Sequence, residues 1–436
     1  MTTVLSVSSI PATAAENPFP TPGANSPIFN PAEPFYQAPA EIPAQPGTVI
    51  RSEIAPHALN LADSTAAYLG LPTPNLPGKA HRILYSSTAP SGAPAVVSGV
   101  VIEPLTPWRG EGPTPTLVMG PGTRGEGRAC APSLGPGMLA AIDPQNDSVA
   151  VNYELPLMYA AVAQGMRVVM TDHMGMGTEG QQRYLNNQPE AYAMLDAARA
   201  TLAFAGVEPT SPIAFYGYSQ GGGSAAAAAE YAAEYAPELN VKGTYAGAPT
   251  SGLIETMEAF DRTLLSGLQT YLVAGAVEDN PQAYEAFLGY LNEQGRAAVE
   301  NGLNACAVDS VVTQGFRDSR NWTTTGESFT EIAQRDPIIR EFYEAQERGH
   351  RNLNAPMLVI NDDADDIVPV GQARRMAQDY CALGGDVEFR AEGTPAILTG
   401  TGINHGIPMY LRAPESFSWI KDRFNGAPTT SNCGAF

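Results

Sequence analysis

Lysine is almost missing from this chain: among 436 residues only Lys79, Lys242 and Lys421 carry an ammonium group. With 24 basic against 45 acidic residues, the formal net charge is −21. A surface of that sign repels polyanions, which excludes nucleic acid and anionic membranes as electrostatic partners. Long apolar runs are absent too. No stretch of about 18 apolar residues occurs, so stable membrane insertion by a helix is not expected. Cysteine is scarce, and Cys130, Cys306, Cys381 and Cys433 show neither Cys-x-x-Cys nor metal-ligand spacing. An even set suits two disulfides in an exported protein, with buried free thiols as the alternative, and four cysteines allow three pairings. No Gly-Lys-Ser/Thr ends a glycine loop and no Gly-x-Gly-x-x-Gly opens a helix, so nucleotide binding is not expected. Neither a metal nor an organic cofactor is called for.

At 44% hydrophobic, the chain is long enough to bury a large core in one or two domains. Its start carries a mildly apolar Val4-Leu5-Ser6-Val7 and an Ala12-Thr13-Ala14 that resembles a signal-peptidase site, without a basic segment before them. Two readings fit: the tail of a signal peptide beginning upstream, or a disordered leader. Residues 15–47 are rich in proline and asparagine and read as an extended arm over the surface.

From 48 to 250, apolar strand-like runs alternate with helical periodicity. Ile83–Tyr85 and Val96–Ile102 form a hairpin-type pair, and Thr116–Met119 is an apolar run ending in glycines. Leu155–Gln164 reads as a helix, Arg167–Asp172 as a strand, and Tyr192, Leu195, Arg199 and Leu202 share helical spacing. Pro212–Tyr216 and Val241–Ala246 are further strands. Alternation of this kind predicts an α/β fold, a mainly parallel sheet flanked by helices on both faces. Between 251 and 350 the period is helical throughout, as in Leu253, Met257, Phe260, Leu264 and Leu268, which predicts a helical cap or lid insertion. Strands return in 351–436 at Pro356–Ile360 and Asp386–Arg390, and a helix near Glu415–Phe424 closes the chain.

The strand Pro212–Tyr216 runs into Gly217-Tyr218-Ser219-Gln220-Gly221, and an alanine-rich helix follows. With 43 glycines, a chance Gly-x-Ser-x-Gly is expected in roughly one such chain in four, so context must decide. Here the serine falls on a sharp strand-to-helix turn, the nucleophile elbow of α/β-hydrolases. A serine hydroxyl needs a histidine to take its proton and an acid to orient that histidine, in the order Ser, Asp, His in this fold. Only five histidines exist: His57, His81, His173, His350 and His405. His405 alone follows the last strand, in a loop leading to the final helix. His173 precedes the serine and reads as structural or pocket-lining. The acid belongs after the strand ending at Ile360, where Asp362, Asp363, Asp365 and Asp366 crowd one loop. Close like charges cannot all sit dry, so most are expected in solvent. Spacing to Val368-Pro369 favours Asp365, with Asp366 next. An oxyanion hole needs backbone donors, expected at Gln220 and in the loop Gly120–Gly125, at Thr123 or Arg124.

Taken together, Pro46–Arg51, Cys130–Ser133, Gly217–Gly222, Asp365–Pro369, Tyr380–Ala382, His405 and Asn432–Gly434 resemble the secretory lipase family of α/β-hydrolases, exported lipases of actinobacteria and yeasts. The resemblance covers most of the chain. It implies a triad of Ser219, Asp365 and His405, disulfides Cys130–Cys306 and Cys381–Cys433, and a helical cap over an acyl pocket. Two positions depart from the family pattern. Pro121-Gly122-Thr123-Arg124 stands where His-Gly-Thr or an acidic residue is common, and His173 replaces an aromatic residue. The expected function is a secreted serine ester hydrolase acting on lipid or small-molecule esters through an acyl-enzyme, a lipase rather than a short-chain carboxylesterase or acyltransferase. A non-catalytic lipid-binding protein on the same fold is a further alternative. Cutinases share the pentapeptide but are much smaller and lack such a cap, and nothing here resembles a subsite for a peptide terminus.

Overall fold

The computed structural model describes residues 30, 33–55, 78–134 and 140–436. The leader, much of the proline-rich arm and His57 lie outside the described residues. Eleven strands occur among the described residues. They are β1 (Val49–Ile54), β2 (Gly78–Thr88), β3 (Pro94–Pro104), β4 (Thr116–Gly120), β5 (Ala140–Asp143), β6 (Ser148–Val151), β7 (Arg167–Thr171), β8 (Pro212–Tyr218), β9 (Asn240–Gly247), β10 (Met357–Asp362) and β11 (Val387–Glu392). Nine form one sheet in the order β1-β2-β3-β7-β4-β8-β9-β10-β11. The run from β7 to β11 is parallel, and the β1-β2-β3 edge is antiparallel and joins β7 antiparallel. This is the mixed, mostly parallel sheet expected.

Side chains alternate across it. In β8, Ile213 and Phe215 enter one apolar cluster while Ala214, Tyr216 and Tyr218 enter the other. In β10, Met357 and Val359 face the first cluster and Leu358 and Ile360 the second. Strands buried on both faces need helices on both faces. The first face is covered by α2 (Asn187–Phe204), α3 (Gln220–Tyr235) and α11 (Val370–Ala382); the second by α1 (Leu155–Ala163) and α13 (Ala413–Phe424).

Between β9 and β10 the described chain has no named strand. It forms α4 (Leu253–Phe260), α5 (Gln269–Ala274), α6 (Pro281–Tyr290), α7 (Glu293–Gly302), α8 (Ala307–Gln314), α9 (Phe329–Arg335) and α10 (Pro337–Glu344). Local capping sets several starts. Ser328 and Glu331 form a reciprocal box on α9, and Asp336 accepts from the amides of Ile338 and Ile339 ahead of Pro337 at the first position of α10.

Three local expectations change. The described end of the arm does more than drape the surface: Phe35 and Tyr36 are buried, and Arg82 pairs with Glu33 while stacking over Phe35. The pair β5–β6 is additional, its strands of four residues being too short to show a period. The segment around His405 is helical, α12 (Ile403–Leu411). Gly402 and the internal Pro408 disguise it, because both residues normally punctuate helices.

Candidate active site

Ser219 sits between β8 and α3 with φ 60° and ψ −124°, a backbone state that non-glycine residues avoid. Its amide donates to Gly247 O at 2.9 Å and its carbonyl accepts from Gly223 N at 3.0 Å, so the turn is held from both sides. Two glycines make the turn possible. A Cβ on Gly217 would lie 1.9 Å from Gly221 O, and one on Gly221 would lie 2.1 Å from Gly120 O. Backbone at those distances cannot yield to a methyl group. Gln220 then opens α3, where first-turn amides have no intrahelical acceptor and the helix dipole favours negative charge.

The structure brings His405 to this turn from the far end of the chain. Its Nδ1 is 2.7 Å from Asp365 Oδ2, with the aspartate side chain fully buried and the imidazole 12% exposed. Asp365 Oδ1 accepts from the amides of Ile367 and Val368 at 3.0 and 2.8 Å, which fixes the other oxygen toward the ring. Tyr218, beside the serine, donates its hydroxyl to His405 O at 2.8 Å and ties α12 to the elbow.

The acidic loop is drier than expected. Only Asp363 is exposed; Asp362 and Asp365 are buried and Asp366 is half-buried. Each of the latter three carboxyl groups has at least one backbone donor of its own. Asp362 accepts from Ala364 N and Thr394 N, and Asp366 accepts from Gly400 N at 2.6 Å. Asp366 thus clamps the loop preceding α12 rather than touching the histidine.

Ser219, His405 and Thr123 border one apolar cavity of about 450 Å³. Its walls come from the helical segment (Phe260, Leu265, Leu268, Ala307, Val311), and from Ile403, Ile407 and Met409 of α12. A larger depression of about 780 Å³ lies elsewhere, between Gly47–Val49, Phe204 and Tyr235. It contains no histidine and is not where the chemistry converges.

Of the two loop candidates, Thr123 borders the cavity. Arg124 turns its side chain away, buried against Glu154, 2.7 Å from Asn152 Oδ1 and over the Tyr153 ring. Thr123 is braced by two tyrosines that sequence reasoning missed. Its Oγ1 lies 2.7 Å from the Tyr184 hydroxyl, and its carbonyl accepts from the Tyr153 hydroxyl at 2.9 Å. No local pattern marks these two, since each is one tyrosine among 18.

The remaining described histidines stay out of the cavity. His350 is exposed, and His81 packs on Phe204. His173 is buried under α3 with φ 62°, and burial, aided by the nearby Arg348 charge, pushes its imidazole down to about 3. Of the two roles considered for it, the structural one matches this position.

A profile of the secretory lipase family matches residues 142–432. The chain belongs to that family. Carboxylic ester hydrolysis is its class of chemistry. A protein of Mycobacterium tuberculosis described as a "probable inactive lipase" is 28% identical over 412 residues, 93% of this chain and 85% of its own. A secreted triacylglycerol lipase of Malassezia furfur is 26% identical over 408 residues, 92% of this chain and 77% of its own. The structure of Candida antarctica lipase A in its closed state superposes with a TM-score of 0.75 at 22% identity, over 94% of this chain and 90% of that one. That superposition shows the shared fold. The two cysteine pairs are Cys130–Cys306 and Cys381–Cys433, as the family resemblance implied. Disulfides and a secretory family fit an extracellular location, and no helix among the described residues is long and apolar enough to cross a membrane.

Proposed function

We propose that this secretory lipase cleaves acyl esters through a covalent acyl-enzyme on Ser219. The observation that carries the reading is the 2.7 Å pairing of Asp365 with His405 Nδ1 at the wall of the apolar cavity that Ser219 also borders. With Nδ1–H bound to the carboxylate, Nε2 is the free base that takes the serine proton and later returns it to the leaving alcohol. The Ser219 oxygen attacks the ester carbonyl, the alcohol departs, and water repeats the sequence to release the acid. The amides of Gln220 and Thr123 receive the oxyanion; the Arg124 side chain has no part in it.

Residues 251–350 act as a cap whose apolar side chains, with those of α12, shelter the acyl chain. Each methylene buried there contributes about 0.8 kcal/mol, so preference should climb with chain length until the cavity is full. A series of p-nitrophenyl and glyceryl esters of rising acyl length tests this. Hydrolysis by the purified protein, lost in Ser219→Ala, is expected. Activity unchanged in Ser219→Ala sinks the serine mechanism. Absence of both hydrolysis and fluorophosphonate labelling favours a lipid-binding role instead, and acyl transfer to added alcohols at the expense of hydrolysis favours an acyltransferase.

A further inference from the structure

Beneath the nucleophile turn lies a carboxylate that the chemistry above does not use. Glu190 stands in the first turn of α2 and is 1% exposed. Both its oxygens are doubly occupied. Oε1 accepts from the Gln220 side-chain amide at 2.8 Å and from the Leu185 backbone N–H at 3.0 Å. Oε2 accepts from the Ser224 hydroxyl at 3.0 Å and from Arg348 Nη2 at 3.0 Å. His173 Nε2 lies 3.2 Å from the same hydroxyl, while its Nδ1 has no partner. A neutral ring with its proton on Nε2 donates to the Ser224 oxygen, and the one hydroxyl proton is shared between Glu190 and the Gln220 backbone carbonyl at 2.9 Å. This is not a second catalytic serine, because the carboxylate meets the serine and leaves the histidine unoriented.

Burying a carboxylate is costly until its partners offset it. What sets Glu190 apart is where its partners belong. Gln220 carries the proposed oxyanion donor, and Ser224 lies one turn further along α3. Leu185, held at φ 59°, follows Tyr184, whose hydroxyl lies 2.7 Å from Thr123 Oγ1. Arg348 stands where the helical segment returns to the sheet. We propose that Glu190 is a positioning residue for the oxyanion hole. Through the Gln220 side chain and the Leu185–Tyr184 turn, it fixes the elbow donor and the loop donor relative to each other. This rests on the ester-hydrolase reading of Ser219. Oxyanion donors act by being preorganised, and a displacement near one ångström costs up to about a hundredfold in rate.

Glu190→Gln keeps the shape and removes the charge. In this variant kcat on a p-nitrophenyl ester should fall about 10- to 100-fold with KM within about twofold. Affinity for an alkyl trifluoromethyl ketone, which binds as a tetrahedral oxyanion adduct, should fall by the same factor as kcat/KM. Leu202→Ala, a buried change at the far end of α2, is the control: it should lower Tm comparably and leave kcat within about twofold. If Glu190→Gln does not fold, Gln220→Leu replaces it. That change removes one donor, leaves Glu190 its other three, and should give the same kcat and ketone losses. The proposal is overturned if the folded variant keeps kcat within about twofold, or if its ketone affinity does not fall with kcat/KM. An inactive wild type overturns the ester-hydrolase reading itself, and this role with it; an active wild type with an unaffected variant overturns the positioning role alone.

Discussion

At the scale of single residues, two neighbouring aspartates have opposite assignments. Asp365 faces the histidine, whereas Asp366 faces Gly400 N. Asp365→Asn should cut kcat about 10³- to 10⁴-fold, because an amide can donate to Nδ1 and stabilise the wrong tautomer. Asp366→Asn should cost less than about tenfold, with a lower Tm. Initial rates on a fluorogenic ester, alongside thermal melts, separate the two. His173 makes a different prediction. Its native pKa, about 3, lies below the ordinary 6.5, so between these values the unfolded chain binds a proton that the native protein refuses. Stability from this group is therefore present above pH 6.5 and is lost as pH falls, by up to about 1.4 kcal/mol per pH unit. Asp172 and Asp196 work the other way, since burial raises both from 3.8 to about 6. The native protein keeps protons that the unfolded chain releases, so these two favour the fold as pH drops from 6 toward 4. A His173→Asn variant isolates the histidine, and asparagine tolerates the positive φ. Between pH 6.5 and 4.5, its urea midpoint should fall less, or rise more, than that of the wild type; equal changes would refute the assignment.

At the scale of elements, the strand–turn–helix unit of β8 and α3 depends on backbone contact. Gly221→Ala should abolish soluble folding or depress Tm severely, because its Cβ meets the Gly120 carbonyl. Gly289→Ala in α6 meets nothing within 4 Å, and should leave Tm unchanged or slightly higher. Thermal melts of the two variants side by side test the contrast. The parallel strands and their covering helices were legible because apolar period is a local property, readable from a few neighbouring residues. Helix α12 was not, since Pro408 and the flanking glycines speak against a helix. Packing of Met409 into the core overrides that preference.

At the scale of the whole molecule, the two disulfides sit differently relative to the cavity. Cys381–Cys433 joins α11 to the C-terminal tail across a separation of 52 residues, away from the cavity. Loop-closure entropy for such a cross-link is about 4 kcal/mol. Replacing both cysteines by serine should lower Tm while leaving kcat near wild type. Cys130–Cys306 bridges the stretch after the Gly120–Gly125 loop to the start of α8, whose Ala307 and Val311 line the cavity. Its removal should lower both. Calorimetry and ester kinetics on the two double mutants check the difference.

The amino-acid sequence by itself determined the α/β layering, the sharp turn at Ser219 and the late position of His405, because each follows from short-range pattern and chain order. Spacing to Val368-Pro369 already favours Asp365 over Asp366; only the tertiary structure decided that Asp366 turns to Gly400 N, which residue of the Gly120–Gly125 loop borders the cavity, and that Glu190 lies under the elbow. Those outcomes depend on burial and on distances between groups tens to hundreds of residues apart, and no local spacing encodes them.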